Sequence, residues 1–364
     1  MRPFAIAGIQ MKISAVNSNV ELMKLKLDIT MSLYPWVEMV VFSELCGHGP
    51  LTHTASAIPG NFEQEMQAMA KKHGIWLLPG SIFEKSEGHI YNTATVINPR
   101  GEVVTRYRKM FPFYPYEVGV TSGEDFCVFD VPGVARFGIS ICYDMWFPET
   151  VRTLAVMGAE VILHPTMTGT IDRDIELSIV RAMAAVNQCY FFDVNGLESG
   201  GSGRSVVCGP DGRVIYQAEG NEEIFPIELN IERVKRSREL GVLRLGQPLK
   251  SFRDHIVQFG IYQHGVELPY LNSLGPLIKP TKMDTLAKLK IQEHEHEKAH
   301  PSSSLIRVLG ITILPPAFST LPRTKLRSLP ALRYISGPDS PGVEPGPATI
   351  EPPIPLFTGK KAIA

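Results

Sequence analysis

In the stretch GISICYDMWFPE, Gly138 to Glu149, a cysteine stands at the end of an apolar run and Pro148 follows shortly after it. Val134–Ile141 reads as a buried strand and Tyr143–Phe147 as a turn. Pro148 suits the first position of a helix, Glu149 suits that helix's positive end, and Gly158 closes it. Glu160–Leu163 reads as the next strand. Cys142 therefore lies between a strand's carboxyl end and a helix's amino end. Backbone N–H groups there can favour a thiolate and cradle a developing oxyanion. As a small hydrophobe, cysteine also packs anywhere in a core, so on position alone a structural role fits Cys142 as well as a nucleophilic one.

Two further corners carry charge. VEMVVFSEL ends a strand with Glu44, directly after an apolar run where an acid is costly to place. EVVTRYRKMFPFYPYE ends another with Lys109 and continues to Glu117. Taken singly, each suits a solvated surface. A carboxylate, an ammonium and a thiol all at strand ends form a much more specific set.

In the order Glu44, Lys109, Glu117, Cys142, the chain resembles the nitrilase, or carbon–nitrogen hydrolase, superfamily over roughly residues 3–265. SEL supplies the family's glutamate, YRKMFPF its lysine, and ICYDMWFPE its cysteine, while Glu117 corresponds to the second glutamate of the amidase branch. The resemblance implies an α/β fold: a four-layer αββα sandwich, two sheets flanked by helices, with a C-terminal extension. It also implies subunits that pair across a helical face, hence a homo-oligomer built from dimers. It implies a division of labour too. Glu44 takes the thiol proton and later activates water. Cys142 attacks the amide carbon and holds an acyl thioester. Lys109 and the backbone N–H of Tyr143 stabilise the oxyanion. Glu117 orients the substrate nitrogen or the lysine. No metal or organic cofactor is required.

The branch is read from local differences. Nitrilases proper usually follow the cysteine with Trp-Glu, whereas this chain has Tyr143-Asp144, as amidases and carbamoylases do. KMFPFYPYE most resembles the loop of aliphatic amidases and formamidases, which also carry a C-terminal extension. The aromatic set Phe113, Tyr114, Tyr116, Tyr143 and Trp146 suggests a tight pocket with apolar walls. Thr166 and His164, in ILHPT at a strand end, are candidates to line it, although His164 reads better as a satisfied structural histidine. No arginine stands out to grip a substrate carboxylate. The expected activity is therefore hydrolysis of the non-peptide C–N bond of a small amide, with release of ammonia or an amine. An N-carbamoyl hydrolase or a nitrilase of the same superfamily is the alternative. In another class, an inactive scaffold binding partners through its tail would lose a triad member, and Glu44, Lys109 and Cys142 are all present.

Other chemistries find little support. The 364 residues carry 36 basic and 37 acidic side chains, so neither nucleic acid nor an acidic membrane is an expected partner. No apolar run approaches the ~20 residues that span a bilayer. Five cysteines, widely spaced and without a CxxC pair, argue against disulfides or zinc and for a reducing, cytoplasmic setting. GGSGRS (200–205) lacks the second glycine of a GxSxG elbow and reads as a flexible loop. His294 and His296, two apart, diverge on a helix and form no metal pair.

The elements that must position these residues alternate in type. Phe4–Gln10, Met39–Ser43, Ile75–Phe83, Tyr91–Ile97 and Glu102–Tyr107 read as strands, with hairpin turns at NPRG (98–101) and GPDG (209–212). Residues 19–34 alternate like a strand, but their length and a cap at Asn17 or Ser18 predict a helix. Asn61 with Gln64 predicts a capped helix ending at Gly74. Asp172–Gln188 predicts another, with Ile175, Ile179, Met183 and Val186 at helical spacing. Three regions follow: a hydrolase domain over 1–265, an arm over 266–300, and a Pro-rich extended or disordered tail over 301–364 that chemistry does not need.

Overall fold

Along the strand Phe4–Gln10 side chains alternate between two cores, Phe4 and Ile6 facing one and Ala7 and Ile9 the other. Met39–Phe42 repeats this, with Met39 and Val41 on one side and Val40 and Phe42 on the other. Residues at i and i+2 share a face, so a strand apolar on both faces must lie within a layered sandwich. The computed structural model describes residues 3–279, all within a unit spanning Met1–Asp284. Most of the arm expected over 266–300, with the His294 and His296 run, and the tail over 301–364 lie outside the described residues.

Two mixed sheets form the middle layers. One runs Glu223–Leu229, Phe4–Gln10, Met39–Phe42, Trp76–Leu78, His89–Ile97, Ser81–Ser86, with Val103–Arg108 also paired to His89–Ile97. The other runs Val214–Gln217, Val206–Cys208, Tyr190–Asn195, Val161–Thr166, Ala135–Ile139, Cys127–Val131. Phe4, Ile6 and Val41 meet Phe137, Ile139, Leu163 and Phe192 between them. Burying each such side chain contributes roughly 1.5–3 kcal/mol before chain entropy is counted. Helices Val20–Leu33 and Asn61–His73 cover the first sheet through Met23, Leu27 and Met66. Helices Pro148–Val156 and Arg173–Val186 cover the second through Leu154, Val180 and Ala184. The result is the αββα sandwich that the family resemblance implies.

Several local expectations change. Ile75–Phe83 is two strands, broken at Pro79 and Gly80. Gly80 has φ +72°, and a Cβ there would meet the Ser43 carbonyl oxygen at 1.9 Å, so only glycine lets the chain pass beneath the segment that carries Glu44. Residues 20–33 are helical, but the cap position falls to Asn19 rather than Asn17 or Ser18. The Asn19 side chain makes no capping bond and instead accepts from the Ser14 N–H at 2.9 Å, while Ser18 Oγ accepts from the Val20 N–H at 3.4 Å. The helix expected to be capped by Asn61 begins there, with Gly60 preceding it and no capping side chain. The helix near 172–188 turns Arg173, Glu176, Val180 and Ala184 inward and leaves Ile175 and Val186 exposed. A buried ion-pair network claims part of its inner face beside Val180 and Ala184, so the expected stripe is split, with Ile179 and Met183 only partly buried against the core. GGSGRS is no flexible loop: Gly201–Ser202 pairs with Leu197–Glu198, and buried Ser205 donates to Gln10 Oε1 at 2.8 Å.

Candidate active site

Glu44 stands just past the strand Met39–Phe42, its N–H donating to the Thr166 carbonyl at 3.3 Å. The following residue, Leu45, has φ +51° and donates its N–H to Ser81 Oγ at 3.0 Å. The carboxylate is thereby fixed from two sheets. Lys109 follows Val103–Arg108 and bonds through its N–H to the Asn92 carbonyl at 2.8 Å. Its Nζ donates to Glu44 Oε1 at 2.8 Å and to Glu117 Oε2 at 2.7 Å. All three side chains are buried or nearly so. Glu117 is held by a return of its own loop: its N–H donates to the Phe113 carbonyl at 3.0 Å, and the Phe113 N–H donates to its carboxylate. Asn92 Nδ2 donates to Glu44 Oε1 at 2.8 Å and reaches Glu117 Oε1 at 3.5 Å.

Cys142 opens the 3₁₀ turn Cys142–Trp146, one residue before the helix that Pro148 begins. Its φ is +47°, a left-handed conformation that costs a residue with a Cβ about 1–2 kcal/mol. Asp144 holds the corner in that shape. Its Oδ2 accepts from the Ile141 N–H at 2.8 Å and the Tyr107 hydroxyl at 2.7 Å, and its Oδ1 accepts from the Phe111 N–H at 2.9 Å. Tyr107 and Phe111 flank Lys109 in sequence. One buried carboxylate therefore ties the cysteine turn to the segment carrying the lysine.

A second network lies on the other side of the sulfur. Thr168 Oγ1 is 3.9 Å from Cys142 Sγ and donates to Glu176 Oε1 at 3.0 Å. That carboxylate also accepts from Trp146 Nε1 at 3.3 Å and from Arg173 Nη1 at 3.2 Å. Arg173 pairs in turn with Asp193.

Burial dominates the electrostatics. It pushes Glu44 up to about 7, with the Glu117 charge adding and Lys109 opposing. Burial works against the charge of Lys109, but Glu44, Cys142 and Glu117 outweigh it and hold the ammonium well above its ordinary range. Cys142 is pushed well up by burial and then by Glu44, with Lys109 opposing. At neutral pH the arrangement thus presents a thiol beside a carboxylate that can exchange a proton and an ammonium that keeps its charge. Glu44 Oε2 is buried without a nitrogen or hydroxyl donor, and the Cys142 thiol is among its hydrogen-bonding influences.

The aromatic residues singled out in sequence surround this centre unevenly. Phe113 lies 4.9 Å from both Tyr143 and Tyr116, centroid to centroid, and Tyr143 lies 6.0 Å from Trp146. Tyr116 is 54% exposed, a rim residue, with Lys279 Nζ 4.8 Å from its ring centroid. Thr166 and His164 are fully buried on one strand. His164 Nδ1 pairs with Ser140 Oγ at 2.7 Å, and burial with the charges of Arg173 and Lys109 lowers it to about 3, so the ring is neutral. Asn92, Thr168, Glu176 and Arg173 went unnoticed in the sequence, and Asp144 served there only as a branch marker. An asparagine inside the apolar strand YNTATVI was the one available signal. Among the described residues, no group of three or more His, Cys, Asp or Glu side chains is arranged to hold a metal ion. A surface cleft of about 800 Å³ lined by Tyr91, Arg106, Arg108 and Cys127 shares no residue with this centre. Buried Glu63 and Glu84 neutralise its two guanidiniums.

Residues 5–239 match the family model described as carbon–nitrogen hydrolase. The chain is similar to the formamidase of Helicobacter acinonychis (strain Sheeba), 30% identical over 269 residues covering 67% of this chain and 80% of that protein. It is also similar to omega-amidase NIT2 of Pongo abelii, 28% identical over 262 residues covering 66% of this chain and 93% of that protein. Among solved structures, Saccharomyces cerevisiae Nit3 matches with TM-score 0.61 at 25% identity, over 65% of this chain and 94% of its own. An amidase from Nesterenkonia sp. shares the fold with TM-score 0.59 at 23% identity, over 65% and 94%. By its family match and its fold, the chain belongs to the carbon–nitrogen hydrolase family, the nitrilase superfamily, and is an amidase-type hydrolase.

Proposed function

We propose that the protein hydrolyses a small neutral amide through an acyl thioester on Cys142 and releases ammonia or an amine. The observation that carries this reading is the buried Lys109 ammonium bridging Glu44 and Glu117 at 2.8 and 2.7 Å. In the first displacement Glu44 takes the thiol proton as sulfur bonds the amide carbon. The carbonyl electrons move to oxygen, facing Lys109 and the Tyr143 N–H. The C–N bond then breaks, and the amine departs with the proton Glu44 received. Water follows, gives a proton to Glu44 and attacks the thioester; the acid leaves and the thiol is restored. Tyr143, Trp146 and Thr166 serve as the pocket wall, Tyr116 as its rim, and His164 as a support behind it.

Neutrality of the substrate is supported by Arg173, which is committed to Glu176 and Asp193 and so has no charge to spare for a carboxylate. The likeness to a protein named formamidase supports a small acyl group. Five free, buried cysteines fit a reducing, cytoplasmic setting. Among the described residues, no helix is long and apolar enough to cross a membrane. Exposed Ile175 and Val186 on one helix, and Val257, Ile261 and Tyr262 further on, favour assembly into a homo-oligomer.

Ammonia release measured across small amides, N-carbamoyl compounds and nitriles tests the reading. Amides should be turned over much faster than matching nitriles, because Glu117 can hold an amide N–H and a nitrile has none. Glu117→Gln should lower amide turnover about 10²-fold through a misplaced ammonium and substrate nitrogen, with the fold kept. Equal or faster nitrile turnover by the unaltered protein would overturn the amide assignment.

A pH profile provides an independent check on the base. Protonated Glu44 cannot accept the thiol proton, and burial raises its carboxyl to about 7. The kcat/KM should therefore fall as pH drops below about 7, while Lys109 stays charged throughout. A profile flat from about pH 5 to 8 would remove Glu44 as the base.

A further inference from the structure

Glu176 is a carboxylate 2% exposed on the inner face of the helix Arg173–Val186, a position otherwise given to Val180 and Ala184. Nothing in the reaction above uses it. Its two oxygens meet partners that can only donate: Trp146 Nε1 at Oε1 and Arg173 Nη1 at Oε2. A proton on either oxygen would face one of those donors, so the group is held as a carboxylate although burial, its largest influence, pushes its pKa up. Thr168 has a single hydroxyl proton, and with an ionised acceptor at 3.0 Å that proton points to Glu176. What Thr168 Oγ1 turns toward Cys142 Sγ at 3.9 Å is then a lone pair.

We propose that Glu176 is a positioning residue for the nucleophile, acting through Thr168. By taking the threonine's proton it makes Thr168 an acceptor, which holds the Cys142 S–H at rest and withholds this hydroxyl's proton from a thiolate, leaving Thr166 as the hydroxyl beside the sulfur. Rotation about the Cβ–Sγ bond turns the S–H to Glu44 for the attack. The thiol stays protonated until Glu44 removes its proton in the attack. This rests on the reading of Cys142 as the nucleophile.

The charged groups around that corner, of which Glu44, Lys109 and Glu176 act on the sulfur directly, come from every neighbouring element. They are Glu44 past Met39–Phe42, Lys109 past Val103–Arg108 with Glu117 behind it, Asp144 on the turn itself, and Glu176 with Arg173 and Asp193 on the far side. His164, neutral, lies on the adjoining strand. Of these, only Glu176 reaches the sulfur through a hydroxyl whose direction it controls.

Glu176→Gln reverses that direction. The charged Arg173 holds the glutamine oxygen more strongly than neutral Trp146 does, so the amide N–H faces Thr168 and Trp146, and the threonine proton is released toward sulfur. The test reads alkylation of the Cys142-containing peptide by iodoacetamide against pH, by mass spectrometry, beside steady-state amide hydrolysis. Glu176→Gln should move the alkylation midpoint down by about one pH unit and lower kcat about tenfold, with KM little changed. Thr168→Val, which keeps the charge of Glu176 but removes the acceptor, should lower kcat similarly, and Thr168→Ser should recover most of that loss. An unmoved alkylation midpoint in folded Glu176→Gln, or wild-type kcat in Thr168→Val, overturns the proposal. If Glu176→Gln does not fold, the valine and serine pair decides alone. Alkylation of Cys142 that leaves turnover intact would instead sink the nucleophile reading, a separate outcome.

Discussion

Cys142→Ala is expected to leave a folded protein that releases no ammonia from any amide. Deleting a nucleophile outright lowers turnover by on the order of 10⁶ where binding and oxyanion donors remain. The fold should survive, because alanine tolerates the removal of one sulfur and the Asp144 bonds to Ile141, Tyr107 and Phe111 persist. Iodoacetamide adds a chemical check. Cys46, Cys189 and Cys208 are fully buried, whereas Cys142 keeps 8% of its surface exposed and has the Lys109 ammonium beside it. Cys127 lines the separate surface cleft, so some labelling there is expected. Inactivation should track modification of Cys142, and Cys142→Ala should remove that labelled peptide alone. Inactivation that follows Cys127 instead, or hydrolysis persisting in Cys142→Ala, would end the thioester mechanism.

Lys109→Ala should lower turnover by at least ~10²–10³, the typical loss for one oxyanion donor, since this donor also carries a full charge. Removing it leaves Glu44 and Glu117 without their shared cation. Uncompensated buried carboxylates destabilise a fold by roughly 3–5 kcal/mol unless they take up protons. Glu44, already raised to about 7, is the group that does so. The variant should therefore fold but lose its base at neutral pH as well as its donor, and raising the pH should recover only part of the rate. Circular dichroism beside kcat separates the cases. Near-normal turnover in the folded variant would refute the role of Lys109.

Glu44, Lys109 and Cys142 were legible as candidates because each stands just past a strand, and Glu117 was legible only through the loop that follows Lys109. Such punctuation is local, written in consecutive residues, and it survives without any knowledge of the sheets. The strands 4–10 and 39–42 were legible for the same reason, since continuous apolar runs mean burial on both faces. Where two distant segments compete for one face, local pattern misleads. The stripe Ile175, Ile179, Met183 and Val186 has the right period for a core helix, yet part of the inner face belongs to Arg173 and Glu176 because Asp193 and Thr168 wait there on other elements. Asp144 and Thr168 are likewise silent in sequence as site residues, and Asn92 signals only as a polar residue inside an apolar strand. Each matters only through a partner many residues away, and a hydrogen bond's worth depends on geometry that spacing does not encode. The chain by itself therefore determined which groups could do the chemistry and in what kind of layered fold. Tertiary structure alone decided their ionisation, because burial and the charges facing each group, set by the packing of two sheets, outweigh the intrinsic acidity of any side chain.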